Sequence, residues 1–243
     1  MIVDACTTLG GELSAESLLR SMDDSGIARA VIGPMADELA VHNAAGNDRL
    51  LAEAQRCTGR LIPTCTATPW RGDEAVRIVR DAARRGARLL VLAPALQGFN
   101  LADDLADPLL RLAGELALPV YVHTGPHSLG APTQVVLAAQ RHRQTRFILG
   151  HCGSTDHAWD MLAIAREHLS DNLYLESSQV RPWAMPRYVE LAGKSRVLFG
   201  SAMPVNDQRF ELRQFMAHVP LESHAGFYGG NLLALLGEEN KPC

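Results

Sequence analysis

The 243-residue sequence contains no Cys-x-x-Cys pair, no apolar run near membrane-spanning length and no glycine-rich phosphate loop. Each absence removes a class of protein. Without paired spacing, the five cysteines (Cys6, Cys57, Cys65, Cys152 and Cys243) read as reduced thiols of a cytoplasmic protein, not as a disulfide framework. No apolar run approaches the roughly 18 residues of a membrane span, so no membrane helix is expected. The N-terminus, MIVDACTTLGG, lacks the basic start and long apolar stretch of a signal peptide. Neither GxGxxG after a strand nor GxxxxGKS/T occurs, and the pair Gly229–Gly230 reads as a turn before the last helix. An excess of basic residues is also missing. The net charge is −4, which excludes a nucleic-acid or anionic-membrane partner as the expected one. The one dense basic run, Arg80 to Arg88, has helical spacing and reads as a solvated face.

What is present is a regular alternation. Short apolar runs at Ile2–Asp4, Ala30–Ile32, Leu61–Cys65, Leu89–Leu92, Val120–His123, Phe147–His151, Leu173–Glu176 and Val197–Gly200 read as strands. Most are unbroken, as expected of strands buried on both faces. Helical patterns lie between them, from Ser14 (a candidate N-cap) to Met22, then Asn47–Arg56, Asp73–Arg85, Asp107–Ala117, Pro132–Arg141, Asp156–His168, Pro186–Ala192, Asp207–His218 and Asn231–Leu236. Repeated strand–helix units predict a parallel α/β fold. Eight strands in a chain close to the roughly 250 residues of one barrel predict a single (β/α)8 TIM barrel over residues 1–243. A flat doubly wound sheet is the competing arrangement.

A barrel of this kind places its chemistry at the C-terminal ends of its strands. The polar residues there are Asp4, Cys6 and Thr8 after the first strand, His123 after the fifth, and His151 with Cys152 after the sixth. Glu176 and Ser177 follow at the seventh and Ser201 at the eighth. Two histidines ending successive strands, VYVH and FILGH, are expected to converge on one pocket.

Several stretches together resemble the amidohydrolase-related family, in the branch that includes small decarboxylases and lactonases. They are Val3-Asp4-Ala5, Pro119 to Gly125 (PVYVHTG), Leu149 to Gly153 (LGHCG), Leu198 to Ser201 (LFGS) with Pro204, and Gly229-Gly230-Asn231 followed by Leu235-Leu236-Gly237. The resemblance implies a metal-dependent barrel with His-x-His after strand one, histidines on strands five and six, and an Asp on strand eight. Here the His-x-His positions hold Cys6 and Thr8, and the strand-eight position holds Ala202. Val91 stands loosely at a strand-four ligand position. Only His123 and His151 match.

Three readings follow. In the first, an enzyme without metal or other cofactor uses His123 and His151 as acid and base on a small carboxylated or cyclic substrate. Glu176 then orients a histidine or serves as base, Cys6 is a candidate nucleophile, and Thr8, Arg181, Ser201 and Trp70 are candidates for substrate binding. His127 and Trp183 fall on loops that could cover the pocket. In the second, Cys6, His123 and His151 hold zinc in a rebuilt site. In the third, the chain is a non-catalytic subunit or binding protein that pairs with an intact relative. Homodimerisation is an expectation from the resemblance alone.

Overall fold

The structure is a computed structural model that describes residues 1–57, 59–125, 127–154 and 157–238. Eight parallel strands follow one another in chain order: β1 (Val3–Thr8), β2 (Arg29–Gly33), β3 (Leu61–Cys65), β4 (Leu89–Leu92), β5 (Val120–His123), β6 (Phe147–Gly150), β7 (Leu173–Glu176) and β8 (Val197–Leu198). The sheet closes on itself. Ala5 N–H donates to the Phe199 carbonyl at 2.8 Å, Ala202 N–H to the Cys6 carbonyl at 2.9 Å, and Thr8 N–H to the Met203 carbonyl at 2.8 Å. This closure gives the (β/α)8 barrel and excludes the flat doubly wound sheet.

The principal helices between strands are α1 (Ala15–Ser25), α2 (Ala36–Ala40), α3 (Asn43–Arg56), α4 (Asp73–Arg84), α5 (Pro94–Gln97), α6 (Asp107–Glu115), α7 (Pro132–Arg141), α8 (Ala158–Glu167), α9 (Met185–Ala192), α10 (Gln208–His218) and α11 (Asn231–Leu235). Local chemistry sets their ends. Ser14 caps α1 by accepting from Ser17 N–H, and Gly26 stops it in a left-handed conformation. Asp207 caps α10 from outside the helix by accepting from Phe210 N–H. The short helices α2 and α5 were not anticipated from the sequence, because five and four residues carry too little period to read. The expected helix start at Asp156, and Cys243, lie outside the described residues. No helix among the described residues is long and apolar enough to cross a membrane.

Two cores result. The outer one lies between the strands and the surrounding helices and holds residues such as Leu18, Leu50, Val79, Leu110, Phe147 and Phe215. The inner one fills the barrel with Val3, Ala5, Val31, Ile62, Leu89, Val91, Tyr121, Ile148 and Leu198, and α11 closes its lower end through Leu232 and Leu235. Val91 is therefore barrel filling, 3% exposed, and offers no ligand atom. Strand alternation decides which side chains point inward. On β5, Tyr121 belongs to the inner core while Val120 and Val122 belong to the outer one.

A register shift between Asp4 and Thr7 interrupts the alternation on β1. Such a bulge re-aims side chains. Here it turns Cys6 into the barrel beside Ala5. Asp4 instead accepts from Ser201 Oγ at 2.6 Å, Gln208 Nε2 at 2.8 Å, and the backbone N–H groups of Ser201 and Cys6. Burial, opposed by these hydrogen bonds, pushes the Asp4 carboxyl up to about 6. The cluster ties β1 to the segment after β8, at the seam where the barrel closes.

Candidate active site

A cavity of about 400 Å3 opens at the C-terminal ends of the strands. Thr8 ends β1, Pro34 follows β2, Ala36 and Leu39 come from α2, and Ala93, Ala95 and Leu96 come from around α5. His123, Thr124, Gly125, His127 and Gly130 follow from the end of β5 onward, with His151 after β6 and Gln179 after β7. The volume suits a small molecule. Among the described residues the lining is largely apolar, its ionisable groups are three histidines, and it contains neither Arg nor Lys.

His123 and His151 meet at the floor. Nδ1 of His123 lies 2.9 Å from Nε2 of His151. Nδ1 of His151 lies 2.6 Å from Ser178 Oγ, and Ser178 Oγ lies 2.7 Å from Glu176 Oε2. Glu176 is fully buried and gathers further donors: Tyr121 Oη at 2.7 Å, Ser178 N–H at 2.6 Å and His151 N–H at 3.1 Å. Burial raises the Glu176 pKa, and these hydrogen bonds oppose the rise. Four donors on one acid match the acceptor-only carboxylate form. Burial, with His151 as a second cause, lowers His123 to about 3. Burial also lowers His151 to about 4, against the pull of Ser178. Both imidazoles are therefore neutral at neutral pH.

Two close approaches require glycine. A Cβ at Gly150 would overlap the Tyr121 ring, and one at Gly200 would overlap the Glu176 carboxylate. The loops around this floor also hold left-handed backbones outside glycine, at His151 (φ 63°), Cys152 (φ 43°), Ser154 (φ 53°), Gln179 (φ 61°) and Ala202 (φ 61°). Such conformations cost energy and gather where a site is held in a fixed shape.

The sequence candidates divide. Thr8, His123 and His151 line the cavity. Cys6 and Glu176 lie beneath it, joined through Tyr121, whose hydroxyl is 3.3 Å from Cys6 Sγ. Ser201 is turned into the Asp4 cluster at the barrel seam. Trp70 is 64% exposed with its indole N–H on the Gln97 carbonyl, and neither it nor the exposed Arg181 lines the cavity. Trp183 is exposed as well, while His127 lines the cavity on the loop after β5. Sequence reasoning missed Tyr121, Ser178 and Gln179. Tyr121 had a readable signal, because it sits two residues before His123 on one strand and so shares its face. Ser178 had none beyond following Glu176.

The Amidohydrolase family model matches residues 10–237. The chain belongs to the amidohydrolase family. Among solved structures, 2,6-dihydroxybenzoate decarboxylase from Rhizobium is similar at TM-score 0.80 and 15% identity, over 97% of this chain and 98% of that one. 5-Carboxyvanillate decarboxylase from Sphingomonas paucimobilis is similar at TM-score 0.79 and 13% identity, over 97% and 98%. The 5-carboxyvanillate decarboxylase from Novosphingobium aromaticivorans DSM 12444, complexed with manganese and 4-hydroxy-3-methoxy-5-nitrobenzoic acid, is similar at TM-score 0.75 and 18% identity, over 93% and 81%. At these identities the likeness shows the fold. No match was found among curated proteins.

The family raises the question of a metal, and one group of donors lies close enough together to hold one. Among the described residues, the ligand atoms that lie within 4.8 Å of one another belong to Cys6, His151 and Glu176. The grouping joins Cys6 and His151 to Glu176, where the sequence reading joins them to His123. Each of these donors is engaged by protein. Both ring nitrogens of His151 are hydrogen-bonded, and Glu176 accepts from four donors. The Tyr121 hydroxyl bridges Cys6 and Glu176. Burial, and next the Glu176 charge, raise the Cys6 pKa, so the thiol is the form present with no cation beside it. Ala202 supplies no carboxylate.

Proposed function

We propose that this amidohydrolase-family barrel is a metal-independent general acid–base catalyst for a small, uncharged carbonyl compound, with His123 meeting the substrate. The reading rests on one observation: a paired imidazole at the floor of a largely apolar cavity whose described lining residues include no Arg or Lys. A carboxylate substrate needs a cation or a metal to replace its hydration. Arg181 does not line the cavity, so the carboxylated substrates of the similar decarboxylases are not adopted for this chain. Lactones and enolisable ketones of modest size fit the lining better.

The chemistry follows from the pair. His123 reaches the cavity through one ring edge and is backed by His151 through the other. As a base it removes a proton from carbon beside a carbonyl, or from a water that attacks a lactone. The proton it already holds on Nδ1 can then pass inward to His151 Nε2. The resulting charge sits nearer Glu176, whose Oε2 is 3.9 Å from His151 Nδ1. Return of the proton along the same path makes His123 the acid for the second half of the reaction. Thr8 and Gln179 supply polar atoms at the wall for orienting a carbonyl oxygen.

The test is a screen of chelator-treated protein against neutral lactones, esters and enolisable ketones, with aromatic carboxylates alongside, read by product formation and by solvent deuterium incorporation. Turnover of a neutral carbonyl compound that is lost in His123→Gln supports the reading. Turnover confined to carboxylates, or dependent on added metal, rejects it.

A further inference from the structure

We propose that Ser178 is a positioning residue that fixes the proton positions on both histidines, so that the nitrogen of His123 facing the cavity is a bare lone pair. The inference rests on the reading of His123 as the base and adds how that base is prepared.

The argument is a count of protons along one hydrogen-bonded chain. The Ser178 hydroxyl is fully buried and touches two acceptor-capable atoms, Glu176 Oε2 at 2.7 Å and His151 Nδ1 at 2.6 Å. It has one proton to give. The carboxylate can only accept, so the hydroxyl proton goes to Glu176. Ser178 Oγ must then accept from His151, which places a proton on His151 Nδ1. A neutral imidazole carries one proton, so His151 Nε2 is bare. It accepts across the 2.9 Å contact from His123 Nδ1–H. His123 is then bare at Nε2. No described residue hydrogen-bonds that nitrogen, and His123 is part of the cavity wall.

Ser178 is well held for this task. Its own N–H donates to Glu176 Oε1 at 2.6 Å, so the carboxylate grips both its backbone and its hydroxyl. Tyr121 and the His151 N–H fix the carboxylate from the other side. Reversing the chain would leave Glu176 facing an oxygen lone pair and His123 presenting an N–H to the substrate. The site would then offer an acid where the first step needs a base.

The test is long-range proton–nitrogen correlation NMR on protein labelled with 15N-histidine, which separates the two neutral tautomers of each ring. Wild type is expected to show His123 and His151 both protonated on Nδ1. Ser178→Ala is expected to lose the single-tautomer pattern at both rings, and Ser178→Thr, which keeps the hydroxyl, to retain it. Wild-type His123 protonated on Nε2 would overturn the proposal. So would an unchanged pattern in folded Ser178→Ala. The spectra need no substrate, so failure of the screen for turnover and failure of this inference are separate results.

Discussion

His123 and His151 end neighbouring strands and share a nitrogen–nitrogen contact of 2.9 Å, with His123 open to the cavity and His151 tied to Ser178 behind it. One ring is thereby assigned to the substrate and the other to the protein. Removing either should have different consequences.

His123→Ala should lower turnover by about 10²- to 10⁴-fold, the usual contribution of a positioned acid–base group. Its circular dichroism should stay that of the wild type, because His123 reaches the floor through a single hydrogen bond. Steady-state kinetics on the substrate found by the screen measure the loss. Wild-type turnover in this variant would remove His123 from the chemistry.

Tyr121→Phe should destabilise the protein by about 1–3 kcal/mol, since it takes one donor from the buried Glu176 and leaves the rest of the ring in place. Urea denaturation measures it. A neutral effect would mean that the remaining three donors satisfy the carboxylate.

Gly150→Ala should destabilise more sharply than an ordinary exposed substitution, because its Cβ would run into the Tyr121 ring. The Tyr121 side chain must move, and Glu176 and Cys6 lose their shared partner. A melting temperature equal to wild type would show that the ring is not held where it is described.

The pH dependence has a definite sign. The His123 pKa is lowered from 6.5 to about 3 in the fold, so the unfolded chain binds the proton first as pH falls. The stability tied to the neutral ring is full above about 6.5 and is lost as pH drops toward 3. Asp4 works oppositely. Its pKa is raised from 3.8 to about 6, so its contribution is full below 3.8 and is lost as pH rises through 6. Comparing wild type with His123→Gln cancels Asp4. Wild type should lose stability relative to that variant between pH 6.5 and 4, and parallel curves would contradict the neutral buried ring.

Much of this was legible in the sequence for a physical reason. Strands buried on both faces write themselves as unbroken apolar runs, so all eight were found, and the strand-end histidines followed from the barrel rule. The bulge on β1 was not legible, and it decides that Cys6 faces inward while Asp4 joins Ser201. Ser201 therefore read as a pocket residue when it serves the barrel seam. Trp70 and Arg181 sit on loops after the right strands, but loop position does not fix side-chain direction. Ser178 became visible only through its distances to two groups that the sequence had already named.

The most direct test of the central claim, that the proposed His123–His151 chemistry runs without a metal, is the metal content of unchelated protein by elemental mass spectrometry. The account predicts far less than one zinc or manganese per chain, with chelation leaving the melting temperature unchanged. About one metal per chain, lost in Cys6→Ala, would contradict it.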